Sequence, residues 1–182
     1  MSYFVGVYWG ARQESREECA RHLAAVLGAL SEQALTRPQW LKKSTSRKLA
    51  LREGLPIHSD GIAPLLQVNR RDVDSEVIRE LGFSYSGWAP LEGDDCVDFS
   101  ARIGSYCPAI NNSFVLSIGT EMNPTALREI LRIMVESLDP DSGRIGSSSG
   151  ANDGRVTELY RYERKRSRWQ MLRTVLGKAA LR

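Results

Sequence analysis

The hydrophobic and polar positions of the chain predict a strand near the N-terminus and a group of strands in the middle. A nearly continuous apolar run at 3–9 is rich in aromatic and β-branched residues, which predicts an interior strand. Apolar and polar residues alternate in three later runs, at 83–89, 97–106 and 113–119. The segments between these runs carry the glycine, proline and asparagine residues of hairpin loops. We therefore expect an antiparallel meander over 83–119.

Two segments have the apolar spacing of an amphipathic helix. Ser15 and Glu18 form a capping box at the start of the first, which ends near Leu30. The second begins at Asn123, is favoured by a proline in its first turn, and stops before Pro140.

Weaker patterns connect these elements. "QWLKK" at 39–43 predicts a short helical turn, "IHSDG" at 57–61 a surface loop, and the segment before Gly82 one helical turn. A brief strand is expected at 144–148. Apolar residues of the tail recur at helical spacing, which predicts a helix from about 155.

Together these elements predict a single α+β domain over 1–182. Its largely antiparallel sheet consists of the N-terminal strand and the meander at about 83–119, and helices cover it. A basic helical segment follows from about 155.

The composition is that of a soluble protein, with 42% apolar and 26% charged residues. The net charge is +3, but it is unevenly distributed: residues 154–182 carry +7 and residues 1–153 carry −4. No apolar run is long enough to span a membrane and no secretory signal is recognisable, so we expect a cytoplasmic protein without a membrane partner. The three cysteines have no C-x-x-C spacing, which argues against a zinc site or a disulfide framework.

The turn at Trp9-Gly10 lies between a strand and a helix, where many proteins bind phosphate. It has a single glycine, however, and Glu17 and Glu18 would repel an anion in the first helical turn. We interpret this turn as part of the fold.

Other patterns offer little catalytic chemistry. His22 and His58 are the only histidines, and "HSD" at 58–60 lacks the distant partners of a hydrolase triad. No residue is therefore assigned to catalysis, to a cofactor or to a metal, and the chain is predicted to be a binding protein and not an enzyme.

Two charged segments are candidates for binding. Four carboxylates surround the loop between the first two runs of the meander: Glu92, Asp94, Asp95 and Asp98. They lack the spacing of a calcium loop, so they form either a solvated turn or a charged contact surface. In the tail, arginines alternate with Tyr160, Tyr162 and Trp169, which fits either a nucleic-acid patch or a solvated helix face.

The segments "YFVGVYWGARQESREECARHL" and "NRRDVDSEVIRELGFSYSGWA" resemble the immunity protein 52 family of bacterial polymorphic-toxin systems. The resemblance covers about half of the chain and does not reach the basic tail. The matching residues are Gly6, Tyr8, Trp9 and Gly10; Glu17, Cys19 and Ala20; and Leu81, Gly82, Phe83 and Trp88.

The resemblance implies an immunity protein that binds and neutralises one cognate toxin in the cytoplasm of the cell that produces it. Toxins paired with this family are nucleases with a restriction-endonuclease-like fold, often delivered by type VI secretion. The alternative is a nucleic-acid-binding module that uses the basic C-terminal helix.

A nuclease binds DNA in a basic groove, so an acidic surface of the inhibitor could be steered into it. Glu92, Asp94, Asp95 and Asp98 are the candidate partner-binding carboxylates, with Trp88 or Trp40 as an aromatic anchor. Contact beside the active site, or interference with toxin assembly, is equally compatible.

The motif residues are expected to be structural. Trp9 and Phe83 would pack in the core, Gly10 and Gly82 would allow turns, and Gly6 and Tyr8 belong to the same opening strand.

Overall fold

A nine-stranded antiparallel sheet forms the centre of the fold in the computed structural model, which describes residues 2–35, 39–42, 54–70, 73–91, 95–148, 156–165 and 168–173. The strands are β1 Ser2–Trp9, β2 Leu41–Lys42, β3 Gln67–Val68, β4 Phe83–Pro90, β5 Cys96–Ile103, β6 Asn112–Ile118, β7 Ser142–Ser148, β8 Val156–Lys165 and β9 Arg168–Arg173. Their order is β2-β4-β5-β6-β1-β7-β8-β9, and β3 also pairs with β4. The predicted α+β class with an antiparallel meander is confirmed.

Of the helices, the two long ones pack on one face of this sheet and the short one packs against the first of them. The helices are α1 Arg16–Ala29, α2 Ser59–Ile62 and α3 Pro124–Leu138, with a π-helical turn at Leu30–Ala34 and 3₁₀ turns at Ala63–Leu65 and Arg79–Leu81. The predicted capping box is present: the Glu18 amide donates to Ser15 Oγ at 3.2 Å, and the Ser15 amide donates to Glu18 Oε2 at 2.8 Å. At α3, the Asn123 side chain accepts the amide of Ala126 at 2.7 Å.

The core lies between the sheet and the long helices. Val5 and Val7 of β1 are fully buried there, as are Leu23 of α1 and Leu131 of α3. An aromatic group extends the core toward β4: the Trp40 ring meets the Phe99 ring edge-on at 5.2 Å between centroids. The Phe99 ring also stacks on that of Phe114 at 5.8 Å.

The prediction of a helix from about 155 was wrong, because this segment forms β8 and β9. Tyr160 pairs with Ile145, and Tyr162 pairs with Gly143, so both tyrosines share the helix-covered side of the sheet. The apolar spacing of the tail suggested a helical stripe, but pairing along β7 is what buries Tyr162, which is 3% exposed.

Two shorter predictions were also wrong. "QWLKK" contributes strand β2, which pairs with β4 through Leu41 and Trp88, and "IHSDG" leads into helix α2. The predicted turn before Gly82 is present as a 3₁₀ turn, and the predicted strand at 144–148 begins two residues earlier, at Ser142.

Among the described residues, no helix is both long enough and apolar enough to cross a lipid bilayer.

Candidate partner-binding surface

The sheet has one face that the described helices leave uncovered. Side chains alternate along each strand, so every second residue faces away from α1 and α3. We call this side the open face. On β4, β5, β6, β1 and β7 it carries Ser84, Ser86, Trp88; Cys96, Asp98, Ser100, Arg102; Ser113, Val115, Ser117; Phe4, Gly6, Tyr8; and Ser142, Arg144, Gly146.

The pairing register aligns the open-face residues in rows across the strands. Trp88 pairs with Asp98, and Asp98 pairs with Ser117. Ser117 pairs in turn with Phe4, which pairs with Gly146. An aromatic ring therefore lies on each side of the Asp98–Ser117 pair.

The predicted partner-binding residues do not form one cluster. Trp88 and Asp98 are direct cross-strand neighbours on the open face, and Trp88 Nε1 donates to the backbone oxygen of Lys42 at 3.3 Å. Asp95 instead lines a separate cavity of about 420 Å³ at the end of the β4–β5 hairpin, together with Glu121 and Met122. Glu92 and Asp94 lie outside the described residues.

The second predicted anchor is not available at the surface. Trp40 is 1% exposed, its ring packs against Phe99, and its Nε1 donates to Ser31 Oγ at 2.9 Å. Of the two candidate anchors, the structure therefore leaves Trp88.

The arginines of β8 whose side chains the structure describes are engaged within the protein. Arg161 donates twice to the Glu158 carboxylate, at 3.1 and 3.2 Å, and these contacts raise the pKa of the guanidinium. Arg164 lies 3.2 Å from the carboxylate of Asp139. These internal ion pairs reduce the positive charge that β8 can offer to a phosphate backbone.

The turn after β1 is held by side chains from two distant segments. The Gly10 amide donates to Asp141 Oδ2 at 2.9 Å, and the Gly10 carbonyl accepts Asn112 Nδ2 at 2.8 Å. Both backbone groups of this turn are thus bonded within the protein.

The histidines lie apart from each other in the sequence and have different surroundings. His22 Nδ1 is 3.3 Å from the mostly buried carboxylate of Glu14, whereas His58 precedes α2 in an exposed position. Among the described residues, no three His, Cys, Asp or Glu side chains approach each other closely enough to form a metal site.

A family model supports the resemblance found in the sequence. The model of immunity protein 52 matches residues 1–158, which reach from the first strand into β8. The chain belongs to the immunity protein 52 family. No curated protein matched the chain at a significant level.

The Gly-x-Tyr-Trp-Gly motif by which the sequence resembles the immunity protein 52 family is divided between the two sides of the sheet. Trp9 points into the core and is 3% exposed. Tyr8 lies on the open face, and its ring covers Gly6: a Cβ at position 6 would lie 2.6 Å from Tyr8 Oη. Gly6 therefore provides the space that the Tyr8 ring occupies.

The other motif residues differ in how strongly the structure constrains them. Gly82 has φ +64°, and a Cβ there would lie 2.4 Å from the backbone oxygen of Ile103. Gly10 has no positive φ, and a Cβ there would meet only Asp141, at 3.9 Å. Phe83 is half-buried, with the Arg16 guanidinium 4.8 Å from its ring centre.

Sequence reasoning missed the position of Tyr8 because both sides of β1 carry apolar or aromatic residues. A strand with two apolar sides gives a continuous run, which reads as fully buried. The only signal was Gly6 itself, a glycine inside a strand that leaves space for a neighbouring group.

Proposed function

We propose that this member of the immunity protein 52 family binds and neutralises a cognate nuclease toxin in the cytoplasm of the cell that produces it. The observation that carries the proposal is the family match over residues 1–158. The toxin is expected to be a secreted nuclease with a restriction-endonuclease-like fold, delivered in a type VI secretion context. The protein acts by binding and needs no catalytic step of its own.

The adjacent Trp88 and Asp98 support a contact with a basic toxin surface. An indole face attracts a cation, and a neighbouring carboxylate forms a charge-assisted hydrogen bond with it. A lysine or arginine of a DNA-binding groove would meet both groups at once. Glu92, Asp94 and Asp95 belong to the same hairpin and would add negative potential at its end.

Two modes of neutralisation are compatible with this contact. In the first, the immunity protein occupies the DNA groove, so DNA and the immunity protein compete for the toxin. In the second, it prevents assembly of the active toxin, and DNA does not compete. Competition binding with a catalytically inactive toxin domain distinguishes the two modes.

The proposal is tested with the toxin domain that we expect the gene immediately upstream of this chain to encode. We expect co-expression to restore growth of cells that produce the active toxin domain, and the purified proteins to form a complex that blocks DNA cleavage. A full-length immunity protein that neither binds this domain nor protects against it would overturn the proposal for this pair.

The role of the hairpin carboxylates is tested by charge reversal. Asp95→Lys and Asp98→Lys should weaken toxin binding, and the loss should shrink as salt concentration rises. Glu17→Lys is the matched control, because it makes the same charge change at an exposed position of α1. Wild-type affinity in both hairpin variants would exclude these two carboxylates from the interface.

A further inference from the structure

The open face is poor in charge on four of its neighbouring strands, β4, β5, β6 and β1. Among its positions on β4, β5, β6 and β1, only Asp98 and Arg102 are charged, and serine is the most frequent residue. Further charges follow on β7 and β8, where Arg144 and Arg161 both form ion pairs with Glu158. Protein interfaces have this anatomy, in which charged residues are depleted from the core and polar groups form the rim.

The composition of the open face is that of a recognition surface. Phe4, Tyr8 and Trp88 supply aromatic contact area, while the serines and glycines between them are small and form hydrogen bonds. Antibody paratopes use the same residue types, because tyrosine and tryptophan lose little side-chain entropy on binding and serine adapts to many partners.

The Tyr8 ring is already held in place. It lies over Gly6, whose neighbours on the two adjacent strands are Val115 and Arg144. A ring that rests on the backbone presents its outer surface to solvent and has little freedom left to lose when a partner binds. This arrangement depends on glycine at position 6, because any side chain there would displace the ring.

The size of the open face matches that of a specific protein interface. With strands about 4.8 Å apart and residues about 3.4 Å apart, the six strands from β4 to β8 cover roughly 700 Å². A stable complex of ordinary size buries about 800 Å² on each partner.

We infer that the open face, with the Tyr8 ring at its centre, is the surface on which the cognate toxin docks. The inference rests on the proposed function, which makes a toxin protein the occupant. The toxin surface is expected to be largely uncharged at its centre, to offer hydrogen-bonding groups to the serines, and to carry a cation opposite Asp98. A second copy of the chain fits less well, since permanent homodimer interfaces are more apolar than a face rich in serine.

The test adds bulk and charge to the open face without touching the core. Ser100 and Ser117 are exposed positions on β5 and β6, so Ser100→Arg and Ser117→Arg leave the folded protein intact. Gln13→Arg is the matched control, because it adds the same group at an exposed position before α1. Circular dichroism and thermal unfolding verify that all three variants fold.

Binding is measured by calorimetry with an inactivated form of the toxin domain used to test the proposed function. We expect each of the two open-face variants to weaken binding at least a hundredfold, while Gln13→Arg binds like the wild type. Wild-type affinity in both open-face variants would overturn the inference and leave the proposed function standing. Absence of binding by the wild-type protein would overturn both.

Sedimentation analysis of the free protein tests whether a second copy of the chain binds to the open face. A monomer supports the inference. A dimer that Ser117→Arg dissociates would show that the open face binds a second copy, and would overturn the inference.

Discussion

The side-chain amide of Asn112 donates a hydrogen bond to the backbone carbonyl of Gly10 at 2.8 Å, although the two residues are 102 positions apart in the sequence. Asn112 is fully buried. Its Nδ2 also donates to the Ser105 carbonyl at 3.0 Å, and its Oδ1 accepts the Ser105 amide at 2.8 Å. One side chain thus fixes the turn after β1 and the loop after β5 relative to each other.

Replacing Asn112 should destabilise the fold strongly. Asn112→Ala leaves the buried amide and carbonyl of Ser105 without their partner, and each such buried group costs about 1–3 kcal/mol. We expect the free energy of unfolding in urea to fall by about 3 kcal/mol or more. Asn111→Ala is the control, because the Asn111 side chain is exposed. Its removal should change the free energy of unfolding by about 0.5 kcal/mol or less. Equal stability of the two variants would contradict the role of Asn112.

Two glycines of the family motif should respond differently to alanine. Gly82→Ala places a Cβ 2.4 Å from the Ile103 carbonyl oxygen at a φ of +64°, so we expect a loss of about 3 kcal/mol or more. Gly10→Ala makes only an ordinary contact, with Asp141 at 3.9 Å, and its free energy of unfolding should lie within about 0.5 kcal/mol of the wild type. Thermal unfolding of both variants checks the contrast, and a tolerant Gly82 would show that the backbone relaxes there.

Substitutions of Tyr8 and Trp9 should have different effects, the first mainly on toxin binding and the second mainly on stability. Trp9→Ala removes a core side chain and is expected to cost about 3–5 kcal/mol. Tyr8→Ser removes a half-buried ring from the open face, so we expect a loss of only about 1 kcal/mol together with weaker toxin binding. Chemical denaturation and calorimetry measure the two effects; a Tyr8 variant that binds normally would argue against the ring as a contact.

Stability should decrease at alkaline pH. Burial raises the pKa of Tyr85 from about 10 to about 12, so the unfolded chain loses this proton at lower pH than the folded one. The contribution of Tyr85 to the free energy of unfolding is therefore complete below about pH 10. It falls by about 2–3 kcal/mol in total as the pH rises toward 12. Burial likewise raises the pKa of Cys19 from 9.0 to about 12. Because the unfolded thiol loses its proton near pH 9, the free energy of unfolding begins to fall at about that pH. Urea unfolding at pH 8, 10 and 11 should show this decline, and a flat profile would contradict it.

Tyr85→Phe should stabilise the protein at neutral pH. The buried Tyr85 hydroxyl has no hydrogen-bond partner among the described residues, so its burial costs free energy that phenylalanine avoids. We expect a gain of about 1 kcal/mol and a shallower decline above pH 10. A less stable variant would indicate that the hydroxyl is bonded in solution.

The core elements were predictable because their signals are local. The capping box at Ser15, the proline after Asn123 and the alternation in 83–119 each depend on neighbouring residues only. The tail was not predictable in this way. Tyr162 lies at a position that suits a helical stripe as well as one side of a strand, and its pairing with Gly143 decided in favour of the strand.

The proposed binding residues likewise combine features that the local sequence predicts with features that only strand pairing sets. The sequence placed Trp88 and Asp98 near one hairpin, but their direct pairing follows from the register of β4 and β5. Asp95 appeared to belong with Asp98, but it precedes β5 and lines the cavity beside Glu121 and Met122, whereas Asp98 lies within β5 on the open face.

The amino-acid sequence alone determined the fold class, the family and the main helices and strands, since periodicity, caps and turn residues act over a few positions. The tertiary structure decided which side of each strand is covered, that Tyr8 faces solvent while Trp9 is buried, and that Asn112 holds the Gly10 turn. These relationships depend on strand order and register, which are set when distant segments pair their backbones and bury a common face.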